Sequence, residues 1–252
     1  MIVRFLGTGT STGVPQIGCE CKVCKSADPR DKRLRTSVWI EVEDKNIVID
    51  CSPDFRQQVL HLPFKKIDGV LITHEHYDHV GGIDDLRPFS CFGEVDLYIE
   101  PEIGDALRNR LSYCFGSNKY MGSPQIRLNE IHFPDTFQIA GIEIVPIRVM
   151  HHKLPILGYR IADFAYLTDL KSLPDKELPK LQGLDTLVLN ALREEEHISH
   201  ANLEQAIALA RKINPRITYF THISHQMGLH GDVSMKLPND IRFACDGLTI
   251  NV

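Results

Sequence analysis

The sequence predicts an α+β domain in which strands deliver metal-capable side chains at their ends. Three observations carry this reading. Short apolar, β-branched runs recur along the 252 residues, several stop at a histidine or an aspartate, and helical segments lie between them. No repeat, low-complexity tract or long linker divides the chain, so a single domain over residues 1–252 is expected.

The clearest run is Val70-Leu71-Ile72, which reads as a buried strand and releases Thr73-His74-Glu75-His76-Tyr77-Asp78-His79. Side chains two apart on an extended segment share a face, so His74 and His76 can serve one ion. Asp78 and His79, past a turn, face a different point, and Glu75 and Tyr77 are spacers. Such a cluster at a strand end, where loops converge, reads as the first half of a metal site suited to two adjacent ions.

Composition narrows the function classes. A chain this long with 43% hydrophobic residues can bury a full core without disulfides. Its net charge of -5 comes with no basic stripe, which argues against extended nucleic-acid binding. The apolar run after Met1 is too short for a signal peptide and no segment is long enough to span a bilayer, so a soluble, cytoplasmic protein is expected. Seven cysteines, three of them in one loop, point to metal ligation rather than to a disulfide framework.

In chain order, Ile2 to Leu6 reads as a strand entering the glycine-rich turn from Gly7 to Gly13. That turn lacks both the P-loop lysine and the dinucleotide-binding glycine spacing, and is expected to be a tight connection near the site. Cys19-Glu20-Cys21-Lys22-Val23-Cys24 follows, whose thiolates suit a tetrahedral zinc that still needs a fourth ligand; a redox pair of Cys21 and Cys24 is the rival reading. Thr36 to Val42 and Asn46 to Asp50 read as a hairpin turning at Asp44-Lys45. Ser52-Pro53 then starts a helix reaching about His61. Asp50, at a strand end, is placed to accept a hydrogen bond from the far nitrogen of a metal-bound histidine.

Beyond the histidine cluster, Ile83 to Leu86 reads as a short helix, Val95 to Ile99 as a strand, and a helix starts near Pro101. The aromatic stretch from Tyr113 to Gly122 reads either as a lid or as a surface loop. Ile142 to Val149 is a strand delivering Met150-His151-His152, and one of these histidines is expected to be a ligand. Tyr159 to Ile161 and Phe164 to Thr168 form a hairpin that delivers Asp169, a candidate bridge between two cations. Asp185 to Asn190 is a buried strand; His197 and His200 follow, with His200 at the start of an amphipathic helix through Leu203, Ala206, Ile207, Ala210 and Ile213. There it is close to backbone N–H groups that favour an anion such as phosphate. Ile217 to Thr221 is a parallel strand delivering His222 and His225, and Ile241 to Ala244 and Leu248 to Ile250 close the chain as short strands.

In this order and along almost the whole chain, these strand-end ligands resemble the metallo-β-lactamase superfamily. The resemblance implies a four-layer αββα sandwich of two mixed sheets flanked by helices, with the site at one edge. It also implies that His74, His76 and His151 hold one divalent cation and that Asp78, His79 and His222 hold a second. Asp169 then bridges them and His152 is spare. The cysteine loop, Thr221-His222-Ile223-Ser224-His225-Gln226 and Asp246-Gly247-Leu248 are similar to the PhnP-like cyclic-phosphate phosphodiesterases of the carbon–phosphorus lyase pathway. That likeness implies His225 as the fourth ligand of a Cys19, Cys21, Cys24 zinc site, places His200 beside the substrate phosphate, and makes a homodimer plausible.

Asp169 stands where many β-lactamases carry cysteine, which favours a harder, oxygen-rich site suited to phosphoesters. Leu170 to Leu184 is too short for the basic arm of many tRNA 3′-end endonucleases. The expected activity is therefore hydrolysis of a small linear or cyclic phosphodiester by a water shared between two zinc or manganese ions, with Asp78 and His200 as catalytic residues. Thioester, lactone or amide hydrolysis, a tRNA-processing nuclease and a non-catalytic zinc-binding module are the alternatives.

Overall fold

The computed structural model describes residues 1–115 and 120–252. Two seven-stranded sheets dominate it. The first contains β1 (Ile2–Gly7), β2 (Ser37–Val42), β3 (Lys45–Ile49), β4 (Gly69–Leu71), β5 (Val95–Ile99), β6 (Ile126–Glu130) and the C-terminal β14 (Thr249–Asn251). The second contains β7 (Phe137–Ile139), β8 (Ile142–His151), β9 (Leu154–Ile161), β10 (Phe164–Leu167), β11 (Thr186–Asn190), β12 (Ile217–Thr221) and β13 (Ile241–Phe243). Their orders are β14-β1-β2-β3-β4-β5-β6 and β13-β12-β11-β10-β9-β8-β7. Each sheet is antiparallel over one half and parallel over the other.

Alternation along the strands sends one set of side chains between the sheets, where Val3, Phe5, Ile40, Ile47, Tyr159, Phe164, Tyr166 and Val188 form a shared core. The outer face of the first sheet packs Val48, Val70 and Leu97 against Phe55, Ile83 and Leu107. These come from α1 (Phe55–Val59), a 3-10 segment (Ile83–Phe92) and α3 (Pro101–Arg110). The outer face of the second sheet packs Leu187, Leu189 and Phe220 against Ala206, Ala210 and Ile213 of α4 (Leu203–Ile213). The expected four layers are present. Two short helices, α2 (Tyr77–Val80) and α5 (His230–Ser234), and further short 3-10 turns lie between the strands, and among the described residues no helix is long and apolar enough to cross a membrane.

Local departures have local causes. The β2–β3 turn falls on Glu43 and Asp44, both in the left-handed region (φ 47° and 61°), one residue earlier than the sequence suggests. Helix α1 spans Phe55–Val59, and the expected Ser52 caps the turn that leads into it: its Oγ accepts from the Asp54 N–H (3.2 Å) and its carbonyl from the Phe55 N–H (2.9 Å). The helix stops at Val59, ahead of Leu62, whose position before Pro63 disfavours helical backbone. The turn Ile83–Leu86 continues as 3-10 helix to Phe92. Strand β9 begins at Leu154, so β8 and β9 are a tight hairpin with His152 at its tip (φ 55°). Strands β6 and β7 are additional to those read from the sequence. The stretch from Tyr113 to Gly122 lies partly outside the described residues; the Tyr113 hydroxyl donates to Asp84 (2.8 Å).

Candidate metal centre

The parallel halves of the two sheets end at one edge of the sandwich, and the sequence places its histidines and aspartates there. Strand β4 runs into His74, His76, Asp78 and His79; β3 runs into Asp50, β10 into Asp169 and β12 into His222. Two contacts staple the sheets at this edge. The Leu157 N–H donates to the Thr73 carbonyl (3.1 Å) and the Tyr159 hydroxyl donates to that of Ile72 (2.5 Å). Asp50, Asp169 and His222 all have left-handed backbones (φ 63°, 57° and 54°), the kind of local strain that persists only where surroundings over-determine it.

Asp169 sits between two groups of imidazoles. Its Oδ1 is 3.3 Å from His79 Nε2 and 3.2 Å from His222 Nε2, while its Oδ2 is 3.9 Å from His74 Nε2 and 4.0 Å from His200 Nδ1. Asp78 Oδ2 completes the first group, 3.2 Å from His79 Nε2 and 3.6 Å from His222 Nε2. Ligand atoms of Asp78, His79, Asp169 and His222 all lie within 4.8 Å of one another, as do those of His151, Asp169 and His200. His74 Nε2 and His76 Nδ1 are 3.0 Å apart, and the His76 and His151 rings are 5.2 Å apart. The structure brings the expected Asp78, His79, Asp169 and His222 into one group, whereas His74 and His76 line the same edge without closing a group with His151, whose ligand-atom neighbours are Asp169 and His200. It also sets His200 beside His151 as closely as any expected ligand. His152, exposed at the hairpin tip, is outside both groups.

The far nitrogens are oriented. His79 Nδ1 donates to Asp50 Oδ2 (2.6 Å), and Asp50 in turn accepts from the Thr73 N–H and hydroxyl. His151 Nδ1 donates to the Asp169 carbonyl (2.7 Å). In the neutral ring each of these bonds keeps the proton on Nδ1 and turns Nε2 towards the centre as the ligand atom. Against the effect of burial, Asp169, Asp78 and Asp50 raise His79, so a cation there would displace a proton. His79 Nε2, His200 Nδ1 and both nitrogens of His222 are buried without a hydrogen-bond partner among the described residues. Buried polar atoms are rarely left so, and divalent cations between the imidazoles and carboxylates would satisfy them.

The electrostatics agree with a cation site. Burial would raise the carboxyls of Asp169 and Asp78, but His222 and His79 hold Asp169, and His79 and His222 hold Asp78, well below the usual carboxylate range. Burial lowers His74, His76 and, to about 3, His200, so these rings are neutral at pH 7. His200 is not the first residue of α4. Asn202 is its N-cap, in a capping box with Gln205, and His200 is two residues earlier, aimed into the centre. One further residue shapes the site. Asn190, ending β11, clasps Leu170 through both side-chain atoms (2.8 and 3.1 Å) and so fixes the turn that carries Asp169. A polar residue closing a buried strand is the only signal of it in the sequence.

A second cluster lies in the cysteine loop. The Sγ atoms of Cys19 and Cys21 are 3.5 and 3.3 Å from His225 Nδ1, and with Cys24 all four ligand atoms fall within 4.8 Å of one another. The Cys24 N–H donates to Cys21 Sγ and the Gln16 N–H to Cys24 Sγ (both 3.4 Å), which favours thiolate sulfur. With that backbone bond foremost, Cys21 is lowered to about 6, whereas burial raises Cys24 to about 11. Three sulfurs and one imidazole nitrogen fit a tetrahedral soft ion.

Comparison with known proteins agrees with this geometry. The β-lactamase superfamily domain profile matches residues 45–223. A crystal structure described as a new diphosphatase from the PhnP family superimposes with a TM-score of 0.92 at 40% identity, over 99% of this chain and 96% of that one. The chain belongs to the PhnP family of the β-lactamase superfamily. Zinc-bound PqqB from Methylobacterium extorquens shares the superfamily fold over the whole of both chains (TM-score 0.80, 20% identity). An octanoyltransferase of Porphyromonas gingivalis is 46% identical over 246 residues, which is 97% of this chain and 50% of that protein. The chain thus spans about half the length of that relative.

Proposed function

We propose that the chain is a dimetal-dependent hydrolase of a small linear or cyclic phosphodiester. The observation that carries this reading is Asp169, whose two oxygens face separate groups of imidazoles, with the Nε2 atoms of His79 and His222 buried and unpartnered beside it. His74, His76 and His151 would hold one zinc or manganese ion, Asp78, His79 and His222 the other, and Asp169 both. Cys19, Cys21, Cys24 and His225 would hold a structural zinc. Two divalent cations in such a site supply Lewis acidity and bring the pKa of a bound water towards neutrality. Asp50 fixes the tautomer of His79, and Asp78 offers its second oxygen to orient a water. His200, neutral in its buried setting, serves as an N–H donor to a phosphoryl oxygen rather than as an imidazolium acid.

A diphosphate diester is the second reading, favoured by the 40% identical diphosphatase. It presents the same tetrahedral phosphorus with a better leaving group. Octanoyl transfer, for which the longer relative is named, is assigned to the half of that protein outside the match, because a water-activating centre would hydrolyse an acyl intermediate rather than pass it on. We place the protein in the cytoplasm, as a homodimer acting on a small molecule.

The test joins metal analysis to rates on linear and cyclic phosphodiesters, diphosphate diesters, carboxylic esters, thioesters and lactones. Turnover of the phosphorus substrates is expected. Turnover confined to the carbonyl substrates would move the assignment to a thioester or lactone hydrolase, and none across the panel would leave a zinc-binding module. Within this scheme His200→Ala should slow turnover by roughly a hundredfold to ten-thousandfold while bound metal stays at wild-type level. Metal loss in that variant would make His200 a ligand beside His151.

A further inference from the structure

The two clusters are joined through His222 and His225, three residues apart on the loop after β12. His222 differs from the other histidines of the centre in how it is aimed. His79 is oriented by Asp50 and His151 by the Asp169 carbonyl, but neither ring nitrogen of His222 has a hydrogen-bond partner among the described residues. Its ring stacks between His200 and His79 (centroids 4.8 and 6.0 Å) with no hydrogen bond to orient it, so its placement leans on its backbone, which is left-handed (φ 54°) and must be held there from both sides. On one side, Thr221 is in the β11–β12 ladder opposite Asn190. On the other, the Ile223 N–H donates to the Thr8 carbonyl (2.9 Å) and the Ile223 carbonyl accepts from the Thr10 N–H (3.1 Å).

That second hold depends on the cysteine loop. Residues 8–10 are wedged between Ile223 and the extended segment Arg33-Leu34-Arg35 that precedes β2. A methyl group on Gly9 would lie 2.8 and 2.9 Å from the carbonyl oxygens of Arg33 and Leu34. Val14 pairs with Arg33 in both directions (2.9 and 2.7 Å), and the chain then enters the loop of Cys19, Cys21 and Cys24, which closes on His225. The path from the tetrad to His222 is thus a closed ring of backbone, sealed at one point by four ligand atoms.

We propose that this tetrad is a positioning device for His222, so that an ion in it tightens the half of the dimetal centre that His222 serves; this rests on the dimetal reading above. Coupling between two such sites is commonly fivefold to about a hundredfold in affinity, and it is reciprocal.

The experiment is a titration of metal-free protein with Co²⁺ or Zn²⁺ against a chromophoric chelator. The thiolate-to-cobalt charge-transfer band reports the tetrad separately. In wild type, three ions are expected, and the tetrad should bind its ion at least about fivefold more tightly once the dimetal centre is full. In Cys21→Ser the tetrad ion is lost, and one active-site ion should bind about tenfold more weakly while the other changes less than about twofold. His225→Cys by itself, which keeps four soft ligands, should leave the tetrad ion and both active-site affinities near their wild-type values. Adding His222→Ala to Cys21→Ser should cost less affinity than His222→Ala does in wild type. Equal weakening of both active-site ions, or of neither, overturns the positioning role, as does a wild-type tetrad indifferent to filling of the centre. A wild-type protein that binds an ion only in the tetrad overturns the dimetal reading, and the coupling with it.

Discussion

Asp169→Ala is expected to strip both active-site ions and lower kcat/KM by roughly ten-thousandfold, the scale of several kcal/mol of lost charge stabilisation. The asymmetry of its neighbours makes the prediction specific. Asp169 faces His79 and His222 with one oxygen and His74 and His200 with the other, so its loss acts on both halves of the centre. Asp78 faces only His79 and His222. Asp78→Ala should therefore abolish turnover yet retain one active-site ion, held by His74, His76 and His151. Metal content per chain, measured together with rates on one phosphodiester, separates the two variants. An Asp169→Ala protein that keeps both ions would remove the bridging role, and equal metal loss in both variants would remove the division into halves.

Part of the candidate site was legible because His74, His76, Asp78 and His79 are written contiguously. His74 to His79 follows a strand too apolar to mistake, and period-2 geometry separates its members. Asp169 and His222 were legible for a related reason, since each ends a short buried strand at the C-terminal side, where ligands of parallel strands gather. Helix α4 declared itself through Leu203, Ala206, Ala210 and Ile213.

Other features were hidden for physical reasons. Strand β6 is a sheet edge with only Ile126 fully buried among its five residues, so it lacks the alternation that marks a strand. Strand β7 is three residues long. The start of β9 is obscured by Pro155, which hid the hairpin holding His151. Asn190 acts through Leu170, and Thr73 braces Asp50, both partners distant in sequence, and no local pattern encodes such contacts. The electrostatic state of His200 also needed the fold, because burial, with His222 and His151 beside it, makes it neutral against the opposing pull of Asp169.

The largest stability effect is expected at Gly82, where two site-bearing loops touch. A Cβ there would lie 1.9 Å from the Ser52 carbonyl oxygen and 2.9 Å from Phe55 Cβ, and the Gly82 N–H already donates to the Cys51 carbonyl (2.9 Å). Neither obstacle is a flexible side-chain end, so the loop after Asp50 and the loop after His79 must separate by about an ångström or more to admit a methyl. The Cys51 N–H bond to the His79 carbonyl (2.8 Å) spans the same gap and would stretch with it. Gly82→Ala should cost about 3 kcal/mol or more, lowering Tm by roughly 6 to 12 °C for a chain of this size. It should also weaken the ion on the His79 side, because Asp50 and His79 move apart. Gly104 provides the opposite sign. It is inside α3, and the nearest atom to a Cβ there is the Arg108 Nη1 at 3.6 Å, so Gly104→Ala meets no obstacle and should stabilise the protein by up to about 1 kcal/mol. Thermal denaturation of the two variants checks the pair together. A Gly82→Ala protein as stable as wild type would mean that the loops carrying Asp50 and His79 are not in the close contact on which the orientation of His79 depends.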